Sequence, residues 1–344
     1  KRNGGDRDIY YMDPNNPKSE KLILQVKGGG WGIQDISPDN KKLVLGEYIS
    51  INESYIWLLD IETGKLTEVT DRNSKGISQS EATFSNLSNE IWLVTDKDNE
   101  FQRLAAMNLN TKKTTYYTSD IPWNVESFNL SEDKKSIVFI TNEGGLNKMY
   151  LMNTGTKAYK EIKNLPIGLI SGARFTKDNQ TIFFNQSTAQ SASDVYQLNI
   201  KTAKIERWTE SELGEMQPSD MSVPKFIEWK SFDDLKISGF YYPASPKFKG
   251  KRPVIIMIHG GPEGQSMASF LDSNNFYTSE MGVSLVYPNV RGSSGFGKTY
   301  LEKDNGFLRE DSVKDIGALL DWIAKQPEVD KDKIILFFKN AEDG

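Results

Sequence analysis

The sequence predicts an all-β propeller followed by an incomplete α/β-hydrolase domain. Three observations predict it. A motif recurs every 45 to 48 residues through the first two-thirds of the chain. A second, independent phase keeps the same interval. After about residue 215 the pattern changes to buried apolar strands alternating with a helix.

The first phase is Ser37-Pro38-Asp39-Asn40-Lys41-Lys42 before Leu43-Val44-Leu45. Related stretches begin at Ser85, Ser131 and Thr176, at steps of 48, 46 and 45 residues. The second phase is Asp60–Thr63, Asn108–Thr111, Asn153–Thr156 and Asn199–Thr202, each following an aromatic or apolar strand. Asp13, at the end of Ile9-Tyr10-Tyr11-Met12, fits that phase 47 residues earlier. Asp, Asn and Gly tolerate tight-turn geometry, and alternating Ile, Val, Tyr, Phe and Trp suit a half-buried pleated surface. Four short strands per period of about 45 residues describe a propeller blade. A β-sandwich would need both phases to share one period by coincidence. Residues 1–215 therefore read as a half blade plus four blades. So few blades would leave costly open edges, and further N-terminal blades are expected.

Residues 216–344 read as the N-terminal part of an α/β domain. Lys225–Trp229, Ser231–Leu235 and Ile237–Pro243 are expected as strands, with a turn at Asp233-Asp234. Val254–Ile258, Val283–Tyr287 and Lys333–Phe338 are continuous apolar runs, as parallel strands covered on both faces require. Between the last two, Val313, Ile316, Leu320 and Ile323 recur at helical spacing over about Glu310–Gln326, and Pro327 ends the helix.

Composition excludes several chemistries. The 344 residues carry 42 Lys plus Arg and 47 Asp plus Glu, a net charge of −5, without the basic stripe that displaces counterions from nucleic acid. With no cysteine and a single histidine, His259, zinc–thiolate and multi-histidine metal sites are impossible, and no cofactor is expected. Any Ser-His-Asp triad within this chain would have to use His259. No apolar run approaches the 18 or so residues that span a bilayer, so a soluble protein, cytoplasmic or exported, is expected. The start at Lys1 reads as that of a processed or excised piece.

Two motifs carry chemistry. His259-Gly260-Gly261-Pro262 directly follows the Val254–Ile258 strand, where a glycine loop lets a substrate carbonyl approach backbone N–H donors. Asn289-Val-Arg291-Gly292-Ser-Ser-Gly295-Phe-Gly297 follows the Val283–Tyr287 strand. The Ser-Pro-Asp-x-Lys blades, with the Asp-x-x-Thr-Gly-Lys turn at Asp60–Lys65, resemble the repeats of TolB-like propellers, and together with the Asp-Trp-Ile end of the helix and the Val-Asp-x-x-Lys-Ile strand these motifs resemble the prolyl oligopeptidase family. The dipeptidyl peptidase and acylaminoacyl peptidase branches are the nearest in pattern. The resemblance implies a serine-type peptidase that hydrolyses peptides through an acyl-enzyme, with substrates admitted past the propeller. It also implies that His259, Gly260 and Gly261 form an oxyanion loop and that Asn289, Arg291, Gly292, Gly295 and Gly297 form a structural loop.

The family's Gly-x-Ser-x-Gly elbow is absent. Asn340 stands near the expected serine, and an amide cannot serve as the acyl-forming nucleophile. No counterpart of the downstream Asp and His follows, so the 344-residue chain is expected to be inactive alone. Ser293 or Ser294 with His259 is a conceivable substitute pair, and Glu81, Glu126 and Arg174 are candidates to line a channel. Their plainer readings are loop structure and rim charge, and Asp233-Asp234 and Glu342-Asp343 read as solvated turns. Two other functions compete: a non-catalytic propeller binding peptides or a partner, and a P-loop NTPase, because Gly292–Thr299 matches G-x-x-x-x-G-K-[ST]. The latter needs a long helix starting at Lys298-Thr299, which the sequence does not support.

Overall fold

A computed structural model describes residues 3–260 and 263–338. The chain opens with an antiparallel hairpin, β1 (Ile9–Asp13) and β2 (Asn16–Leu24). Four four-stranded antiparallel sheets follow, each paired in chain order. The first comprises β3 (Trp31–Ile36), β4 (Lys42–Ser50), β5 (Glu53–Asp60) and β6 (Leu66–Glu68). The second comprises β7 (Gln79–Phe84), β8 (Glu90–Thr95), β9 (Arg103–Asn108) and β10 (Thr114–Tyr116). The third comprises β11 (Asn124–Leu130), β12 (Ser136–Asn142), β13 (Asn147–Asn153) and β14 (Tyr159–Glu161). The fourth comprises β15 (Gly168–Phe175), β16 (Thr181–Thr188), β17 (Ser191–Asn199) and β18 (Ile205–Arg207). These are the propeller blades that the repeats require.

Both phases of the repeat are turns with a defined hydrogen-bond chemistry. Before the second strand of the first, third and fourth blades, a hydroxyl donates to an Asp carboxylate two residues on: Ser37 to Asp39 at 2.6 Å, Ser131 to Asp133 at 2.7 Å and Thr176 to Asp178 at 2.5 Å. These bonds, followed by bonds from backbone N–H groups, hold the three carboxyls below their ordinary range. The residue after each Asp takes a left-handed conformation, with φ of 57° at Asn40, 58° at Lys134 and 60° at Asn179. In the second phase the side chain of Asp60, Asn108, Asn153 or Asn199 accepts the N–H of the Thr three residues later, at 2.9 to 3.0 Å. These are Asx turns, and they turn the third strand of each blade into its short fourth strand.

The chain packs as two compact units, Lys1–Phe128 and Asn129–Gly344, with the boundary inside β11. In the first unit Val44, Ile56, Phe84, Ile91 and Leu93 form a closed apolar layer between the first two sheets. Burying one such side chain stabilises the fold by about 1.5–3 kcal/mol. In the second unit Val138, Ile140, Ile182, Phe184 and Leu198 do the same for the third and fourth sheets.

The second unit also carries a five-stranded mixed sheet of β19 (Lys225–Lys230), β20 (Lys236–Tyr242), β21 (Arg252–Ile258), β22 (Ser284–Asn289) and β23 (Val329–Phe338), in the order β19-β20-β22-β21-β23. Strands β22 and β23 run parallel to β21, while β20 runs antiparallel to β22. Two short helices, α1 (Asn275–Ser279) and α2 (Lys298–Leu301), precede the long α3 (Arg309–Ile323). Ile316, Leu319 and Ile323 of α3 pack on Trp229, Ile237, Val254 and Val286 on one face of the sheet. Phe240, Tyr242, Ile255 and Leu285 pack with Ala268 and Leu271 on the other. This is the partial α/β-hydrolase sheet expected from the sequence.

One expectation fails. Ser231–Leu235 is not a strand but the turn joining β19 to β20. Ser231 and Leu235 close it with a 2.9 Å backbone bond, and Asp234 sits at a left-handed φ of 62°.

Candidate active site

Parallel pairing brings the two sequence motifs to one end of the sheet. His259 leaves the carboxyl end of β21 and Asn289 ends β22 beside it. The carboxyl ends of parallel strands are where α/β sheets place their chemistry. The register continues on the other side, where Ile258 pairs with Phe338 of β23. Gly261 and Asn340 lie outside the described residues.

His259 and Ser293 do come together: the imidazole Nε2 lies 2.9 Å from the Ser293 hydroxyl. The same hydroxyl lies 2.7 Å from the Val290 carbonyl, and the other ring nitrogen, Nδ1, lies 3.1 Å from the Gly260 carbonyl. Ser293 is also completely buried. A hydroxyl sealed from solvent in this way is not placed to attack a substrate carbonyl, so the pair anchors one loop to the other. Burial disfavours the imidazolium and pushes the His259 pKa down, against the opposing pull of the Gly260 carbonyl and Asp304.

Asn289 is fully buried, and its side-chain amide clamps the neighbouring loop in both directions. Its Oδ1 accepts the Ser266 N–H at 2.7 Å, and its Nδ2 donates to the Ser266 carbonyl at 2.9 Å. The Tyr300 hydroxyl donates to the Asn289 carbonyl at 2.7 Å. Gly292, Gly295 and Gly297 all take left-handed φ, between 86° and 94°. A Cβ on Gly292 would stand 2.1 Å from the carboxyl carbon of Asp304, and one on Gly295 would stand 2.5 Å from the Gln265 amide. Only glycine fits at either position.

Arg291 is the hub of this end of the sheet, with 4% of its side chain exposed. Its guanidinium forks onto Asp315 of α3, with Nη2 at 2.8 Å and Nε at 3.0 Å, while its backbone N–H donates to the same carboxylate at 2.9 Å. Two more bonds, of 2.9 and 3.1 Å, reach Asp233. Burial alone would lower the Arg291 pKa, but the bonds to Asp315 and Asp233 outweigh it and raise it. Asp315 also accepts the Ser231 hydroxyl at 2.5 Å. Asp233 is therefore not the freely solvated turn residue the sequence suggested, because Arg291 holds it and with it the β19–β20 turn. Asp315 was missed altogether. Its signal was available, since it lies beside Ile316 on the apolar stripe of α3, where an unpaired carboxylate would be costly.

The P-loop match does not form a phosphate cradle. Helix α2 has four residues. The amides of Gly292, Ser293 and Ser294 donate to the carbonyls of Tyr300, Val290 and Gly264, so the groups that would hold a phosphate are spent inside the protein. Glu81, Glu126 and Arg174 lie exposed on β7, β11 and β15, the first strands of their blades. Beside the site, a cavity of about 330 Å³ is lined by His259, Gln265, Tyr242, Tyr287, Phe270 and Phe337, among others. Among the described residues no helix is long and apolar enough to cross a membrane.

Comparison with known proteins agrees with this architecture. The model of the prolyl oligopeptidase N-terminal beta-propeller domain matches residues 5–211, and that of the prolyl oligopeptidase family matches residues 269–337. Dipeptidyl-peptidase 5 of Porphyromonas gingivalis is 23% identical over 252 residues, covering 71% of this chain and 36% of that protein. Acylamino-acid-releasing enzyme 1 of Oryza sativa subsp. japonica is 34% identical over 88 residues, 26% of this chain and 11% of that enzyme. A solved structure of prolyl oligopeptidase B from Galerina marginata superposes with a TM-score of 0.83 at 14% identity, covering 97% of this chain and 48% of that one. The chain thus spans about half or less of the length of the proteins it matches. With the propeller model alone covering well over half of its residues, the chain belongs to the prolyl oligopeptidase family.

Proposed function

We propose that this chain supplies the substrate-admitting propeller and the oxyanion-loop half of a serine peptidase that cleaves short peptides through an acyl-enzyme. One observation carries the reading. The pairing of Ile258 with Phe338 makes the chain leave β23 alongside the His259–Gly260 loop. A nucleophile carried on the turn after β23 would face backbone donors of that loop, the arrangement that stabilises a tetrahedral oxyanion. In this reading Gly260 and Gly261 shape the oxyanion loop, and the Asn289–Gly297 loop buttresses it through His259–Ser293 and Asn289–Ser266. The propeller, taken as residues 1–215, presents peptides to a hydrolase part beginning at residue 216. The family's relatives named dipeptidyl-peptidase and acylamino-acid-releasing enzyme support short peptides as the substrate class.

The test has two arms. The 344-residue chain alone is expected neither to hydrolyse peptidyl esters nor to label with a fluorophosphonate, because no serine nucleophile stands at the turn. Residues 1–338 fused to the nucleophile-bearing remainder of the Porphyromonas gingivalis relative are expected to gain both activities. Hydrolysis by the chain alone overturns the reading, as does a folded fusion that neither labels nor cleaves. In the second case a peptide-binding propeller becomes the better account.

A further inference from the structure

The turn between β12 and β13 of the third blade touches the hydrolase part through a small polar contact that the mechanism above does not use. Asn142, at the end of β12, is 2% exposed. Its Nδ2 donates to Oε1 of Gln265 at 2.7 Å, and Gln265 Nε2 returns a longer bond of 3.4 Å to Asn142 Oδ1. The same Oδ1 accepts the N–H of Gly145 at 2.9 Å, which fixes the turn. The Gly145 carbonyl accepts the N–H of Ala268 at 3.1 Å. Gly145 has a φ of 92°, and a Cβ there would meet Phe240 at 2.8 Å and the Ser266 carbonyl at 3.0 Å, so the approach admits only glycine.

The segment held in this way leads directly to the proposed oxyanion loop. Gly264, next to Gln265, has its Cα against Gly260 and His259, since a Cβ there would lie 2.7 Å from the Gly260 carbonyl and 2.8 Å from the imidazole. The Gly264 carbonyl also accepts the N–H of Ser294, and Ser266 is the residue clamped by Asn289. Gln265 therefore sits at the meeting point of three elements: the blade turn, the Asn289–Gly297 loop and the segment that follows Gly260.

We propose that Asn142 is a positioning residue of the propeller, which sets the place of the His259–Gly260 loop by latching Gln265 through a reciprocal amide pair. The functional meaning rests on the reading of that loop as the oxyanion loop, but the latch itself does not. Two amides that satisfy each other in both directions, Asn142 buried and Gln265 half-buried, fix one geometry. Removing either side chain releases the hydrogen bond that holds the segment at this point.

The test uses the 344-residue chain and its single histidine, whose imidazole signals need no assignment. Amide hydrogen exchange over residues 263–271 and NMR of carbon-13-labelled His259 are compared in the parent, N142A, Q265A and the swap N142Q/Q265N. N142A and Q265A are expected to speed exchange at 263–271 about fivefold to tenfold, as loss of one buried hydrogen bond allows, and to shift the His259 signals. Exchange in α3 is expected to stay unchanged, and the swap to restore both readouts. Parent-like exchange and His259 signals in a folded N142A or Q265A overturn the proposal, as does a swap as loose as the single variants. An intact latch in a silent fusion refutes only the peptidase reading, whereas an active fusion without a latch refutes only the positioning role.

Discussion

At the residue scale, the site is held by buried polar groups whose neighbours decide their charge. Asp304 is the clearest case. It is 3% exposed, its carboxyl rests against the Cα of Gly292, and burial raises its pKa above the ordinary value, with Arg309 and His259 opposing. A raised carboxyl pKa contributes stability that is fully present below the unfolded-state value and is lost as pH rises through the folded-state value. Asp304→Asn, which cannot ionise, is therefore expected to remove that loss. Its urea midpoint should match the parent's at low pH and exceed it at pH 7, and a variant less stable at pH 7 would refute the account. The motifs around Asp304 were legible in the sequence because glycine and histidine announce themselves in a short loop. The partners of Arg291 were not, because Asp233 and Asp315 reach it from a turn and a helix far along the chain, and local pattern carries no information about which charges meet.

At the element scale, the blades were legible because their turns are chemical rather than merely polar. Asp60, Asn108, Asn153 and Asn199 each accept the N–H of a threonine three residues on, and that requirement writes the period into the sequence. Within Ser231–Leu235 the apolar Phe232 and Leu235 stand three residues apart, not at the two-residue spacing of a strand face. Phe232 in fact stacks under Arg291, whose guanidinium carbon lies 4.7 Å from the ring centre. The four Asx turns also differ in a way that can be measured. The position after each threonine is left-handed: Gly64 at φ 69°, Lys112 at 59°, Lys157 at 63° and Ala203 at 55°. Only the first is glycine, and an L-residue there costs roughly 1–2 kcal/mol. Ala203→Gly is thus expected to stabilise the fourth blade by about 1 kcal/mol, less the entropy glycine adds to the unfolded chain. A rise in the denaturant midpoint at unchanged slope checks it, and a fall would mean that Ala203 contributes a contact outweighing its backbone strain.

At the scale of the whole molecule, the strand that aligns the proposed site is also an exposed sheet edge. Among the described residues β23 pairs with β21 alone. Its last four residues, Ile335, Leu336, Phe337 and Phe338, are 58%, 42%, 52% and 62% exposed. Because consecutive strand residues point to opposite faces, both faces of this edge are apolar. The preceding Asp330, Lys331, Asp332 and Lys333 are charged and pair locally, Lys333 with Asp330 at 3.1 Å, so charge guards the start of the strand and not its end. An unpaired, apolar edge of this kind is a template for pairing with another chain. The 344-residue chain is accordingly expected to self-associate as its concentration rises. Leu336→Lys, which places a gatekeeping charge in the middle of the apolar run without removing a buried side chain, should shift that association to at least severalfold higher concentration while leaving the circular dichroism unchanged. Sedimentation velocity over a concentration series decides the matter. A parent that stays monomeric throughout would refute the account, and a variant that associates as readily as the parent would locate the contact elsewhere.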